Sequence, residues 1–452
     1  MARHRVDAIV IGAGAAGLAA ARQLSQAGLT ALIVEARDRI GGRIFTIHTP
    51  DSAVPIELGA EFVHGEPPET LAIVRAANLI LHELPDEHYR WRNGKLLLTP
   101  DFWEKLNEVR EDISRKTRRK RADFSFSEYL GHTKYAADFR KILVNFVEGY
   151  HAADPRKVSA RSLIGSDEEE DSSNKQFRIV TGYDAVVHWL KAGLDPDRIE
   201  LRLNTIASEL RWKRGEVVVE CASGLGVSLE PFHARAAIVT IPHAVLKAQT
   251  LSINPRLDEK QAAVDRLEAG HVFKIALRFR HSFWAEDEFV KARLENRSSQ
   301  PRALNFIHAE DAEVPVWWTA LPARAPILTG WAGGPKAESL LKQDEQTRVE
   351  KTLVALSQVL AVPRRDLDDL LESWSMHDWS ADPFSRGAYM YISVGSISAQ
   401  KSLAKPIEGT LFFAGEATDS AEMGTVAGAI ASGRRAAHEL IEVLPLSKHP
   451  RI

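Results

Sequence analysis

The sequence predicts an α/β fold in which a Rossmann-like domain is joined to a second domain of mixed-sheet α+β type. A short apolar strand, Asp7 to Ile11, leads into a glycine-rich turn and then into a segment of helical composition ending at Gly28. A second apolar strand, Leu32 to Val34, completes a β-α-β unit. Strand-like segments return in the middle and near the C-terminal end, so we expect both domains to be discontinuous in sequence.

Length and composition narrow the class of protein. A chain of 452 residues is too long for one ordinary core, and 44% hydrophobic with 26% charged residues is typical of a soluble globular protein. The net charge of -3 gives no reason to expect nucleic acid or a membrane as a partner. With Cys221 as the single cysteine, neither an intrachain disulfide nor a cysteine-based metal cluster can form. We therefore expect a cytoplasmic protein, with no metal site predicted.

The turn GAGAAG, residues 12–17, has the spacing of a dinucleotide-binding fingerprint. Gly12 makes the tight turn, Gly14 lets the backbone approach a pyrophosphate, and Gly17 allows close packing of helix on strand. The helix N-terminus offers N–H groups to the anion, and the acidic residue that follows the second strand suits the ribose hydroxyls. The residues predicted to hold the dinucleotide here are Gly12, Ala13, Gly14, Ala15, Ala16, Gly17, Glu35, Ala36 and Arg37.

A second glycine pair follows directly in EARDRIGGRIFT, residues 35–46. Gly41 and Gly42 let the chain lie against a cofactor, and Arg43 can neutralise a pyrophosphate. This second phosphate-facing segment favours FAD over NAD.

Four further stretches, together with EARDRIGGRIFT, resemble the flavin-dependent amine oxidase family. They are IELGAEFVHG (56–65), GHVFK (270–274), WSADPFSRGAY (379–389) and FFAGEATDSAEMGTVAGAIASGRRAA (412–437). The resemblance implies an FAD-binding domain of the glutathione-reductase type. Among the residues that it places against FAD, Ile206 holds the adenine, Trp379 packs near the flavin and Glu416 bonds the ribityl chain. The others are Gly59, Ala60, Glu61, Phe62, Gly415, Thr425 and Val426. Members with covalent flavin carry a cysteine where this chain has Ala388, so the FAD is expected to be non-covalent.

Lys274 lies in an apolar strand, where period-2 alternation puts it on the face opposite Phe273 and Ile275. That face could be exposed to solvent. The resemblance instead implies that Lys274 hydrogen-bonds a water beside flavin N5, where a fixed cation could stabilise reduced flavin or superoxide.

The reaction implied by the resemblance is hydride transfer from the carbon next to an amine nitrogen to flavin N5. Oxygen then gives peroxide, and the imine hydrolyses to an aldehyde and an amine or ammonia. Lys274, Tyr389, Thr425 and His64 are the predicted catalytic residues. Tyr389 matches one ring of the family's aromatic cage, Thr425 stands where the second ring is expected, and His64 faces the substrate channel in polyamine oxidases. Polyamines are therefore slightly favoured over monoamines and amino acids.

The sequence leaves three alternatives open. One is a flavoenzyme of the desaturase or protoporphyrinogen-oxidase type, which lacks the lysine and the cage. Another is an L-amino-acid oxidase, for which Arg161 and Arg386 could pair with the carboxylate. The third is a flavin-bound scaffold with little turnover. The expected partners are a small amine and O2, and a homodimer is also left open.

The predicted FAD-binding domain comprises residues 1–70, 199–261 and 405–452. The predicted substrate domain comprises residues 71–198 and 262–404, with a helical insert around 100–165. The charged stretch 104–121 reads as a solvated helix face or a loop, and the acidic stretch 165–175 reads as an exposed loop. Helices are predicted at 352–362 and 425–443, and a strand at 411–414.

Overall fold

Two large β-sheets organise the chain in the computed structural model, which describes residues 5–85, 87–92, 94–99, 102–120, 122–164, 175–294 and 304–444. The strands are β1 (Arg5–Ile11), β2 (Ala31–Val34), β3 (Thr46–Ile47), β4 (Ile56–Glu57), β5 (Phe62–His64), β6 (Leu81–Glu83), β7 (His88–Arg92), β8 (Lys95–Leu98), β9 (Gln176–Ile179), β10 (Ile199–Arg202), β11 (Thr205–Lys213), β12 (Glu216–Ser223), β13 (Phe232–Val239), β14 (Ser252–Asn254), β15 (Leu267–Ala269), β16 (Val272–Phe279), β17 (Phe306–His308), β18 (Val316–Thr319), β19 (Ile327–Gly333), β20 (Leu371–Met376), β21 (Met390–Ile392) and β22 (Leu411–Phe413).

The α-helices of the same residues are α1 (Ala15–Gln26), α2 (Pro68–Ala76), α3 (Phe102–Lys120), α4 (Phe126–Gly131), α5 (Ala137–His151), α6 (Asp184–Ala192), α7 (His243–Lys247), α8 (Asp258–Asp265), α9 (Asp287–Arg293), α10 (Gly334–Leu341), α11 (Glu345–Leu360), α12 (Arg364–Leu370), α13 (Ala399–Ala404) and α14 (Val426–Val443). Short 3-10 helices span Ala160–Leu163, Phe283–Ala285 and Glu416–Thr418. The acidic stretch predicted as a loop lies, apart from its last residue, outside the described residues.

The first sheet has the strand order β10-β2-β1-β13-β12-β11-β14, with β22 also paired to β13. Strands β10, β2, β1, β13 and β22 run parallel, and β12 pairs antiparallel with both β13 and β11. Strands β2 and β22 are apolar and buried at every position, as is typical of parallel strands covered on both faces. This sheet carries the β-α-β unit at its centre, which confirms the predicted Rossmann-like architecture.

The second sheet is mixed, with the order β20-β16-β19-β18-β17-β7-β8. Strand β16 pairs antiparallel with β19 on one side and with β20 on the other. Its Phe273, Ile275 and Leu277 pack into the core beneath helix α11. Its opposite face bears Lys274 and Ala276, which are only 3% and 4% exposed. The face that the alternation left open to solvent is therefore buried at these two positions.

The cores of the first sheet include segments that were predicted to belong to the substrate domain. On one face, Val186, Val187 and Leu190 of α6 pack with α1 and α14. On the other face, Met390 and Leu403 pack with β1 and β2. These segments pack against the first sheet because each presents an apolar face to it, and the domain boundaries stay a prediction.

Helix α3 accounts for the charged stretch that was read as a solvated helix face or a loop. Its buried residues Leu106, Val109 and Ile113 recur every three or four positions, so one stripe faces a local core while charged residues cover the rest. Within the described residues, no helix is both long and apolar enough to cross a membrane.

Candidate active site

The turn between β1 and α1 forms a backbone cradle that only glycine allows. Gly12 has φ of +109°, and a Cβ placed there would lie 2.7 Å from Thr240 Oγ1. A Cβ at Gly17 would lie 1.9 Å from the carbonyl oxygen of Gly12. Gly14 is the N-cap of α1, and no side chain caps that helix. The positive end of α1 is thus available to an anion, as a pyrophosphate requires.

Glu35 directly follows β2 beside this cradle and is 4% exposed. One carboxylate oxygen accepts a hydrogen bond from the N–H of Ala13 at 2.7 Å, and the other accepts from the N–H of Arg37 at 3.0 Å. The guanidinium of Arg37 turns to Asp382, with both carboxylate oxygens 2.8 Å away. Ala36 and Arg37 line the cavity described below.

Arg43, in the N-terminal part of the chain, and Glu416, in the C-terminal part, form an ion pair in the cavity wall. Arg43 Nη1 donates to Glu416 Oε1 at 2.9 Å and also to the carbonyl oxygen of Ala388. Gly415, with φ of +127°, precedes the buried Glu416, and Gly42, with φ of +60°, lies against Gly14. The predicted pyrophosphate arginine is therefore held in place by the predicted ribityl-binding carboxylate.

A second group of predicted residues lies where β16 approaches β5. A Cβ at Gly59 would lie 1.9 Å from the carbonyl oxygen of Arg43, so the close approach of these two backbone segments also requires glycine. Trp379 is 2% exposed and donates through Nε1 to the carbonyl oxygen of Leu58 at 2.9 Å. Ala60 and Phe62 line the cavity, and so do two residues of other elements, Val426 at the start of α14 and Ile206 on β11.

Lys274 projects from β16 into a buried charge network. Its Nζ lies 2.6 Å from Glu61 Oε2 and donates to the carbonyl oxygen of Gly59 at 3.0 Å. The other oxygen of Glu61 accepts from Arg178 at 2.6 Å and from Trp318 Nε1 at 2.9 Å. Burial alone would raise the pKa of Glu61, but the charges of Lys274 and Arg178 outweigh it and hold that pKa below its ordinary value.

Tyr389, Thr425 and His64 line the same region. Tyr389 donates its hydroxyl proton to the carbonyl oxygen of Tyr150 at 2.8 Å, and burial raises the pKa of Tyr389. Thr425 is the N-cap of α14, since its Oγ1 accepts from the N–H of Gly428 at 3.0 Å. Burial lowers the pKa of His64 to about 4, so its imidazole is neutral at pH 7.

One continuous cavity of about 1320 Å³ joins all these groups. Of the predicted site residues, Ala13 and Gly17 alone are outside its lining among the described residues. The volume exceeds the roughly 300–1,000 Å³ typical of a site for one small ligand. The cradle, the uncapped helix and Glu35 fit a dinucleotide, and the remaining volume fits a substrate beside it.

Arg178 and Trp318 were missed at the level of sequence. They reach Glu61 because β5 pairs with β9, placing Phe62 opposite Arg178, and because β18 lies two strands from β16. The alternation in QFRI and VWWT marks these segments as strands, but it does not say which strands are neighbours. No local pattern could have identified this network.

The fold and the cavity together define a flavoprotein oxidoreductase. The comparisons with known proteins specify the class further: residues 15–441 match the flavin-containing amine oxidoreductase family. The chain belongs to this family, and FAD is its cofactor.

Individual relatives agree with this assignment. Polyamine oxidase 3 of Oryza sativa subsp. japonica is 30% identical over 96% of this chain and 89% of its own length. Lysine-specific histone demethylase 2 of Homo sapiens is 27% identical over 97% of this chain, which spans about half (53%) of that protein. Putrescine oxidase bound to putrescine has the same fold, with a TM-score of 0.79 at 19% identity over 97% of this chain and 99% of the other.

Proposed function

We propose that this protein oxidises an amine at its α-carbon and that O2 is the final electron acceptor. When bound, FAD supplies the acceptor for the hydride at its N5 atom, and its reoxidation by O2 gives hydrogen peroxide. The amine loses one hydride, which carries both electrons of the oxidation, and water adds to the resulting imine to release an aldehyde and an amine or ammonia. FAD is held non-covalently, because Ala388 offers no thiol and Cys221 is buried in β12.

The observation that carries this proposal is the position of Lys274 in the cavity. Its ammonium is 3% exposed, and it shares one cavity with the dinucleotide cradle and with Tyr389. Glu61 and the carbonyl of Gly59 fix its position. A cation held there without reorganisation can stabilise negative charge that develops during electron transfer to O2.

Residues of the chain also favour the reactive form of the substrate. Hydride loss requires an amine lone pair, whereas a free alkylamine has a pKa near ~10, like lysine. The cavity wall around Tyr389 includes Tyr150, Trp331 and Phe62. Desolvation by such a wall favours the neutral amine, so the site needs no strong general base. Tyr389 then orients the amine as a single ring of the cage, with the smaller Thr425 on the other side.

Polyamines are the substrate class that the sequence favours, and the named relatives include polyamine oxidases. Amino acids form a second class, because Arg161 lies in the cavity lining and could pair with a carboxylate. Arg386 is not among the described lining residues. A cytoplasmic location and a homodimer remain proposals that rest on composition and resemblance.

Product analysis of the FAD-loaded protein tests this function. A diamine, a monoamine and an L-amino acid are each supplied with O2, and consumption of O2 and formation of peroxide and of carbonyl product are measured. We expect equimolar peroxide and aldehyde from an amine. A 2-oxo acid formed faster than any aldehyde would move the assignment to amino acids. FAD-loaded protein that forms no peroxide with any of the three would overturn it.

A further inference from the structure

Seven aromatic rings form a closed circuit of contacts on the wall of the cavity. Neighbouring ring centroids are 5.1–6.2 Å apart, and every ring belongs to the cavity lining. In order around the circuit they are His64, Tyr150, Phe146, Phe102, His88, Phe306 and Phe62, and we call this set the aromatic belt. Strands β5, β7 and β17 and helices α3 and α5 supply them, so the belt is built by the tertiary fold.

Carboxylates that line the cavity are already bound to other protein groups. On the side of the belt, Glu61 is paired with Lys274 and Arg178, and Glu310 accepts from Arg90 Nε at 2.6 Å. Glu35 and Glu416 are engaged at the cofactor side as described above. Thr425 Oγ1 donates to the carbonyl oxygen of Glu422 at 2.8 Å, and the Oε2 atom of the Glu422 carboxylate lies 3.4 Å from the same hydroxyl. Within the described lining, therefore, every carboxylate has a protein partner. The acidic stretch 165–174 lies outside the described residues.

Imidazoles add no negative charge and little positive charge to this wall. His88 Nδ1 and His308 Nε2 are 2.8 Å apart, so each satisfies the other, with one nitrogen donating and one accepting. Burial lowers the pKa of His308 well below its usual range. Arg110 lines the cavity near the belt, since its positive charge acts on His151, whose ring contacts Phe146 and Tyr150. A second ammonium on a substrate would meet cations and neutral rings here.

We propose that the aromatic belt selects amines whose only charge is at the reacting nitrogen and whose remaining part is apolar. This inference rests on the proposed amine oxidation and replaces the polyamines that the sequence favours with monoamines that carry a long alkyl or aromatic body. Transfer of a methylene chain from water to the rings favours binding. Transfer of a second ammonium disfavours binding, because it would lose its hydration and find no unpaired carboxylate in the described lining. Attraction between a cation and the ring faces offsets only part of that loss.

A pair of amines of equal length tests the proposal on the FAD-loaded protein. Octylamine and the straight-chain diaminooctane differ only by the second terminal amine. Dissociation constants are obtained from the change in the flavin spectrum under anaerobic conditions. We expect octylamine to bind at least about tenfold more tightly, since only the diamine must desolvate a second charge. Equal affinity, or tighter binding of the diamine, would overturn the proposal.

Introducing a carboxylate into the belt provides a second, independent comparison. Phe306→Asp adds a negative charge beside His88, and Phe306→Asn is its matched neutral control. The ratio of the two dissociation constants should shift toward the diamine by about tenfold or more in the aspartate variant and not in the asparagine variant. Equal ratios in both variants would contradict the charge argument. If either variant fails to fold, the comparison of the two amines on the unmodified protein still decides.

The two amines also separate this inference from the proposed function. If both amines perturb the flavin spectrum and neither bleaches it, neither is a substrate, and the proposed oxidation of long-chain amines fails. The ranking of their dissociation constants still supports or overturns the belt proposal in that case.

Discussion

At the scale of single residues, the fold settles the surroundings of Lys274, which the local sequence leaves undecided. The run VFKIALRF allows a lysine that faces water. In the fold, β19 and β20 flank β16 on both sides, and the segment from Gly59 to Glu61 covers the lysine face. That segment is more than 200 residues away along the chain, with 215 between Lys274 and its Gly59 acceptor. Family resemblance predicted the role of Lys274, but no residue pattern predicted its pairing with Glu61.

The charge network makes an asymmetric prediction for two variants. Lys274→Met leaves Glu61 paired with Arg178, whereas Glu61→Gln leaves two buried cations without their shared anion. We expect Glu61→Gln to lower the free energy of unfolding by roughly 3 kcal/mol and Lys274→Met by only about 1 kcal/mol. Urea unfolding of both variants measures this, and a larger loss for Lys274→Met would contradict the arrangement.

Lys274→Met also tests the electron-transfer role that we propose for this lysine. We expect Lys274→Met to slow reoxidation of chemically reduced FAD by O2, because the cation that stabilises developing negative charge is gone. Stopped-flow reoxidation after reduction by dithionite gives this rate without any amine. Reoxidation of Lys274→Met at the rate of the unmodified protein would remove the lysine from this step.

At the scale of elements, helix α14 was predicted to within one residue. Its predicted first residue, Thr425, is the N-cap, and the helix begins at Val426. The N-cap assignment has a measurable consequence, because Thr425 Oγ1 accepts from the N–H of Gly428. Thr425→Ala should cost about 1 kcal/mol of stability, and Thr425→Ser should cost much less, since serine keeps the accepting oxygen. Urea unfolding compares the two, and equal losses would show that the methyl group and not the cap matters.

Other elements show where sequence patterns stop being informative. The apolar spacing within α3 identifies a helix, but it cannot show that Arg110 and Ser114 line the cavity. Helix α6 has an ordinary amphipathic pattern, and yet its position against α1 and α14 depends on long-range packing. Periodicity predicts which face of an element is buried, but what covers that face is determined by the tertiary fold.

At the scale of the whole molecule, the large cavity is lined by three half-buried histidines, His64, His151 and His308. Burial lowers the pKa of His64 to about 4, that of His151 to about 3 and that of His308 well below its usual range. Burial likewise lowers the pKa of His243, beside Glu416, to about 4. Unfolded histidines titrate near ~6.5, so the unfolded chain takes up protons first as the pH falls.

Stability should therefore fall as the pH drops from about 6.5 toward about 4. Glu57 opposes this trend, because burial raises its pKa to about 7 and its folded carboxyl binds a proton before the unfolded one does. We expect the free energy of unfolding to be lower at about pH 5.5 than at about pH 7.5 by on the order of 2 kcal/mol. Glu57→Gln should enlarge that difference. Urea unfolding at both pH values measures it, and a protein that is more stable at the lower pH would contradict the burial of these histidines.

The two-domain architecture and the dinucleotide cradle were predictable, because both depend on local turns and on strands that are apolar on both faces. The aromatic belt was not predictable, since its seven rings come from segments as distant as Phe62 and Phe306. Sequence patterns do not show which distant segments pack together. For this reason, the packing of α6 and of the segment around Met390 against the first sheet was not predicted.

Anaerobic mixing of the FAD-loaded protein with a long-chain alkylamine tests the central claim most directly. We expect the flavin absorbance to be lost at least as fast as the enzyme turns over, and to return on admission of O2 with one equivalent of peroxide per flavin. A protein that binds FAD fully and keeps its oxidised spectrum with every amine would contradict the account.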